Sequence, residues 1–123
     1  MSKLALVVDD SSMVRQLVGR ALTGAGFEVI EGVNGIDGLA KLAGATTKVN
    51  LIMTDLNMPG MNGIEFIRAI RAIPVHKTTP VLMLTTETHD ELKQGGRAAG
   101  ATGWMTKPFN AETLLKIIAK VAP

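Results

Sequence analysis

Two short apolar runs that end in aspartate decide the fold: residues 4–10 read LALVVDD and residues 50–55 read NLIMTD. Runs of this length and composition are typical of strands that are covered on both faces. A third run of the same kind, PVLMLT, occupies residues 80–85. These three stretches predict the central strands of a parallel sheet.

Two weaker strand patterns accompany them. Residues 27–31 (FEVIE) alternate between apolar and polar, and residues 102–106 (TGWMT) are short and mixed, so both favour edge positions. Helical patterns fill the intervals. Strict alternation of strand and helix predicts an α/β fold: a doubly wound, flavodoxin-like, five-stranded parallel sheet in the order 2-1-3-4-5, with five helices on both faces.

The helices are predicted from apolar residues at i, i+3, i+4 and i+7 and from capping residues at their starts. The predicted inward faces are Val14-Leu17-Val18-Ala21, Ile36-Leu39-Ala40-Ala43, Phe66-Ala69-Ile70-Ile73 and Leu114-Ile117-Ile118-Val121. The predicted caps are Asp10 or Ser11, Asn34, Asn62 with Glu65, Thr88 with Glu91, and Asn110.

The fourth helix, over residues 88–99, has an unusual inward stripe of Gly95, Gly96 and Ala99. Each glycine costs about 0.5–1 kcal/mol relative to alanine in a helix and buries no side chain. Two interpretations stay open. The helix is the loosest in the domain, or it makes a close contact that only glycine permits.

Composition limits the class of protein. With 123 residues, 46% of them hydrophobic, and no cysteine, we expect one folded domain over residues 1–123 without an output domain, a disulfide scaffold or a thiolate zinc site. A net charge of +2 and few aromatic residues give no reason to expect binding to nucleic acid or membranes. The longest apolar run, residues 4–8, is too short for a membrane span. We therefore expect a cytoplasmic monomer, with His76 and His89 in solvent.

Polar side chains follow the strands at one edge of the predicted sheet: Asp9 and Asp10, Asp55, Thr85, and Lys107. Singly, each has an ordinary interpretation as a cap, a turn or a surface residue. Together, three carboxylates at one crevice repel one another unless a cation lies between them. Oxygen ligands of this kind favour Mg²⁺. A phosphoryl group on the central Asp55 would be held by metal, hydroxyl and ammonium together.

The whole chain resembles a response-regulator receiver domain, specifically a stand-alone chemotaxis regulator of the CheY type. The motifs that carry the resemblance are LALVVDDSSMVR, LIMTDLNMPGMNGIEF, VLMLTTE and GWMTKPF. The resemblance implies that Asp55 is phosphorylated and that Lys107 binds the phosphate. It further implies that Asp9, Asp10, Asp55 and the backbone carbonyl of Asn57 bind Mg²⁺.

The resemblance also implies a switch and a partner surface. Thr85 would be the switch hydroxyl, Trp104 would move with it, Asn57 and Glu87 would tune dephosphorylation, and the bond before Pro108 would be cis. A histidine kinase would supply the phosphoryl group. An effector protein would bind the surface of the fourth helix, fifth strand and fifth helix. Trp104 stands where tyrosine is usual in the family. The resemblance therefore does not decide whether the effector is the flagellar motor switch.

Alternatives remain at this point. The protein could act as a phosphate sink or relay intermediate without a motor target. An aspartyl-phosphate phosphatase needs an acid two residues after its nucleophile, where this chain has Asn57. A flavin-binding, flavodoxin-like module needs a phosphate loop after the first strand, where Asp9 and Asp10 would repel the ligand. We therefore expect a signalling switch rather than an enzyme.

Overall fold

The computed structural model describes residues 3–87 and 89–122. Its strands are β1 Lys3–Val8, β2 Phe27–Gly32, β3 Val49–Thr54, β4 Val81–Thr85 and β5 Gly103–Thr106. Its helices are α1 Ser12–Gly24, α2 Gly35–Gly44, α3 Gly63–Arg71, α4 Asp90–Ala99 and α5 Ala111–Val121, and a short 3-10 helix Pro74–His76 precedes β4. The strands form one parallel sheet in the order β2-β1-β3-β4-β5, which confirms the predicted fold and the two predicted edges.

The core lies on both faces of the sheet because successive strand residues point to opposite sides. Leu6 and Val8 of β1 pack with α2, α3 and α4, whereas Ala5 and Val7 pack with α1 and α5. The central strands β1, β3 and β4 are buried almost throughout. This double burial explains why their sequences are continuously apolar.

The predicted inward face of α2 is wrong. Ile36 is 67% exposed, whereas Gly35, Gly38 and Leu42 are the buried residues. A Cβ atom on Gly38 would lie 2.8 Å from the Val8 side chain and 2.9 Å from the Phe66 ring. The helix therefore approaches the sheet through its glycines, and hydrophobic periodicity gives glycine no weight. On α1 the predicted Val14, Val18 and Ala21 pack in the core, but Leu17 is 48% exposed and Leu22, which was not predicted, is fully buried. The α3 and α5 faces are confirmed through buried Phe66, Ile70, Leu114 and Ile118.

The caps are confirmed except at α4. Side chains of Ser11, Asn34, Asn62 and Asn110 accept backbone hydrogen bonds at the starts of α1, α2, α3 and α5, and Asn62 forms a capping box with Glu65. For α4, the predicted cap Thr88 lies outside the described residues. The helix starts at Asp90, with His89 as N-cap and no side-chain cap hydrogen bond.

The prediction for His76 is also wrong. His76 is only 7% exposed, and its ring Nδ1 lies 3.1 Å from the Thr79 hydroxyl. His89 is in solvent, as predicted, with its side chain 78% exposed. Across residues 3–87 and 89–122, no helix has both the length and the hydrophobicity that crossing a bilayer requires.

Candidate functional site

Strand register brings two aspartates side by side at the carboxyl edge of the sheet. Val8 of β1 pairs with Thr54 of β3, so the next residues, Asp9 and Asp55, are neighbours. The Asp55 N–H donates to the Val8 carbonyl at 3.1 Å, which extends the ladder up to the carboxylate. Both aspartates are buried, with 2% of Asp9 and 8% of Asp55 exposed. Buried carboxylates require compensating partners.

The Asp55 carboxylate is held from both sides. Its Oδ1 accepts the backbone N–H of Leu56 at 2.7 Å and, more weakly, that of Asn57 at 3.4 Å. Its Oδ2 accepts the Lys107 ammonium at 3.1 Å. These contacts fix one oxygen on the backbone and leave the other next to a positive charge. The carboxylate is thereby oriented before any ligand arrives.

Lys107 joins the two buried aspartates. Its Nζ lies 2.9 Å from Asp9 Oδ2 and 3.1 Å from Asp55 Oδ2. Two facing carboxylates outweigh burial and raise the pKa of Lys107 above its usual value. Burial raises the pKa of Asp9, because desolvation exceeds the opposing pull of the one ammonium that it shares with Asp55. The peptide bond between Lys107 and Pro108 is cis, as the resemblance implies.

Asp10 completes an acidic cluster. Carboxylate oxygens of Asp9, Asp10 and Asp55 all lie within 4.8 Å of one another, and Asp10 is exposed. A donor set made only of carboxylate oxygens suits a small hard cation such as Mg²⁺ and has no soft ligand for a thiophilic metal. The residues present therefore fit the predicted metal. The assignment of the Asn57 carbonyl as a further ligand stays a prediction.

Asn57 and Glu87, the two predicted tuning residues, contact each other. The Asn57 side-chain amide donates to Glu87 Oε1 at 3.1 Å. This hydrogen bond spans the crevice from the end of β3 to the end of β4. The two side chains therefore lie together beside the crevice, and their role in dephosphorylation stays a prediction.

Thr85 and Trp104, the predicted switch residues, are joined through the backbone of Glu87. Thr85 is fully buried, and its hydroxyl accepts the Glu87 N–H at 3.4 Å. The Trp104 indole Nε1 donates to the Glu87 carbonyl at 3.1 Å. Within residues 3–87 and 89–122, the Thr85 hydroxyl has no hydrogen bond to Asp55. Trp104 packs with the α2–α4 side of the core, against α4.

Two residues that support the site were missed from the sequence. Arg15 donates to the backbone carbonyl of Asp9 at 2.7 Å while pairing with Glu31 at 2.9 Å. Gly63 packs directly on the backbone carbonyl of Asp55, so that any side chain there would overlap it. One signal could have identified Gly63: it directly follows the Asn62 cap, so it begins the helix that comes just after Asp55 in the chain. Arg15 carried no signal, because an arginine in a first helical turn is ordinarily a surface residue.

Comparison with known proteins gives consistent matches. The model of the response regulator receiver domain matches residues 5–119. The chain is 39% identical over 118 residues to chemotaxis protein CheY1 of Helicobacter pylori strain J99, covering 89% of this chain and 88% of that protein. It is 36% identical to protein PilG of Pseudomonas aeruginosa, covering 96% and 86%. The solved structure of Vibrio cholerae chemotaxis protein CheY4 superimposes with a TM-score of 0.92 at 49% identity, covering 98% of this chain and 99% of that one.

Proposed function

This chain belongs to the response regulator receiver domain family, and from that membership we propose that Asp55 accepts a phosphoryl group in a two-component pathway of the chemotaxis type. The donor is the phosphohistidine of a partner kinase. The observation that carries the proposal is the Lys107 ammonium, which lies between the Asp9 and Asp55 carboxylates at 2.9 and 3.1 Å. This ammonium offsets part of the negative charge of the crevice while Asp55 stays oriented for attack.

Phosphotransfer needs little beyond position and charge neutralisation. A carboxylate oxygen of Asp55 attacks phosphorus, and a P–O bond forms as the P–N bond to the histidine ring breaks. The electron pair of that bond returns to the ring nitrogen, so the kinase histidine leaves as imidazole. Lys107 remains beside the product and offsets the charge of the phosphoryl oxygens. Mg²⁺ held by Asp9, Asp10 and Asp55 would supply further charge neutralisation of those oxygens.

The acyl phosphate ends by hydrolysis. Water attacks phosphorus, inorganic phosphate leaves, and the Asp55 carboxylate is regenerated. Asn57 and Glu87, hydrogen-bonded across the crevice, border the path of that water and tune its approach. The protein assists its own phosphorylation and dephosphorylation and is a switch rather than an enzyme acting on a separate substrate.

Phosphorylation of Asp55 changes the partner surface through a movement of Thr85. Phosphoryl oxygens are strong acceptors, so they draw the buried Thr85 hydroxyl away from its weak contact with Glu87. Trp104, bonded to the same Glu87 backbone, moves with it and reshapes the surface of α4, β5 and α5. An effector protein recognises that surface. The chemotaxis names of two relatives favour a motility effector over a pure phosphate sink.

Labelling with a small phosphodonor tests the proposal. Incubation with acetyl phosphate and Mg²⁺ should add one phosphoryl group to the wild type, measured as intact mass. Asp55→Ala should add none, and excess chelator should suppress labelling of the wild type. Glu28→Gln, an exposed carboxylate on β2, is the matched control and should label normally. Undiminished labelling of Asp55→Ala would contradict the proposal.

A further inference from the structure

Gly96 of α4 faces the Trp104 indole so closely that the space between them holds no side chain. A Cβ atom on Gly96 would lie 2.8 Å from Trp104 Cζ3 and 3.3 Å from Cε3. We propose that Gly96 is a positioning residue for Trp104, whose indole lies under α4 only because this position has no side chain. The inference rests on the proposed function, in which Trp104 reports the state of Thr85.

The backbone of Gly96 has little freedom to move away. Its carbonyl accepts the N–H groups of Gly100 at 3.1 Å and Ala101 at 2.9 Å, which close the end of α4 around the left-handed Gly100. Arg71 of α3 anchors the same end, because its Nη2 and Nε donate to the Gly100 carbonyl at 2.7 and 3.1 Å. A side chain on Gly96 must therefore displace the indole rather than the helix end.

Displacement of the indole would reach the switch. Trp104 Nε1 donates to the Glu87 carbonyl at 3.1 Å, and the Glu87 N–H donates to the Thr85 hydroxyl at 3.4 Å. These two bonds connect the indole to the buried threonine through Glu87, and the close approach of Gly96 connects the indole to α4. If the ring is pushed out, the first bond breaks and the movement of Thr85 no longer reaches the partner surface.

Gly95 provides the matched contrast. A Cβ atom there would meet only the terminal methyl of Ile64 at 3.3 Å, which is the flexible end of a side chain. Gly95→Ala and Gly96→Ala make the same chemical change one residue apart and gain the same helix propensity. They differ in one respect, which is contact with the indole.

Trp104 fluorescence gives the first test, because the chain has one tryptophan and no tyrosine. In metal-free protein, Gly96→Ala should give a higher acrylamide quenching constant than the wild type, and Gly95→Ala should not. With Mg²⁺ and beryllofluoride as phosphoryl mimic, the fluorescence change relative to Mg²⁺ alone should fall to less than about half in Gly96→Ala and persist in Gly95→Ala. Equal behaviour of the two variants in both measurements would overturn the inference.

A double-mutant cycle gives the second test, independent of signalling. In urea unfolding, Gly96→Ala should lower the free energy of unfolding when Trp104 is present. It should not do so in a Trp104→Phe protein, because the smaller phenyl ring leaves room for the methyl group. The same destabilisation in both backgrounds would show that Gly96 has no special relation to the indole. If the Trp104 fluorescence of the wild type did not respond to beryllofluoride, the proposed function would be contradicted. Acrylamide quenching and the double-mutant cycle would still test the role of Gly96.

Discussion

The two edges of the sheet each hold a partly buried cation, and the two cations have different partners. At the carboxyl edge, Lys107 contacts the carboxylates of Asp9 and Asp55. At the amino edge, Arg71 donates to three backbone carbonyls, those of His76 and Thr79 at 2.7 Å each and that of Gly100. Backbone carbonyls carry no net charge and do not titrate, so the contacts of Arg71 indicate a structural role. Carboxylates can bind a metal or a proton in place of an ammonium, so the ion pairs of Lys107 with Asp9 and Asp55 can change with conditions.

The largest expected effect is at the amino edge. Arg71→Ala leaves three carbonyls without their donor and should lower the free energy of unfolding by about 2–4 kcal/mol. Urea denaturation measures it, with exposed Arg68→Ala on the same helix expected to stay within about 0.5 kcal/mol of the wild type. Added Mg²⁺ should not restore Arg71→Ala. If Mg²⁺ restored the stability of Arg71→Ala, the two edges would not differ in their response to metal.

A smaller effect that responds to metal is expected at the carboxyl edge. Lys107→Ala removes the only cation that the structure places between Asp9 and Asp55, and in chelator it should cost about 1–2 kcal/mol of unfolding free energy. Saturating Mg²⁺ should recover most of that loss, because a second cation can neutralise the same oxygens. Paired urea titrations with chelator and with Mg²⁺ measure it, and equal losses in both would count against a metal site.

Acidification should change the free energy of unfolding in opposite directions at the two edges: it should lower the contribution of His76 and raise that of Asp9. Burial, reinforced by the Arg71 charge, lowers the pKa of His76 below 6.5, so the unfolded chain takes up a proton first and stability falls as pH drops through 6.5. Burial raises the pKa of Asp9 above 3.8, so its contribution to stability grows as pH falls through that raised pKa.

Urea unfolding between about pH 7.5 and pH 5 tests the histidine part. His76→Gln should flatten the loss of stability on acidification, and His89→Gln, at an exposed histidine, should leave it unchanged. If the two variants keep the same slope, His76 is not the group responsible.

The smallest expected effect is at Asp10. This exposed carboxylate lies in the acidic cluster, and no contact that the structure gives joins it to Lys107. Without metal, Asp10→Asn should relieve repulsion and raise the unfolding free energy by about 0.5 kcal/mol or less. Thermal unfolding in chelator measures it against Glu28→Gln, which removes the same charge at the other edge of the sheet. A loss of stability at Asp10→Asn would mean that its carboxylate is already compensated.

The sequence was sufficient for the sheet order and the cluster because both follow from short-range patterns. Continuous apolar runs identified the three central strands, and parallel strands put their carboxyl ends at one edge. Contacts that depend on close packing could not be predicted from the sequence. The burial of Gly38 depends on its approach to Val8 and Phe66, which are distant in the chain, and His76 is held by contacts with Arg71 and Thr79 that no periodic pattern marks. At Gly96 both interpretations were open, and the Trp104 contact decided for close approach.

The contact of Gly63 with Asp55 limits how the length of the chain can vary. The Gly63 N–H donates to the Leu56 carbonyl at 2.8 Å, so the segment between them forms a ring of fixed circumference. An inserted residue would enlarge the ring and shift the Leu56 amide that holds Asp55. Residues 45–48, after α2, have no comparable closure across the loop and are mostly exposed. We expect insertions and deletions to be tolerated in that loop and to disrupt the ring beside Asp55, the proposed phosphorylation site.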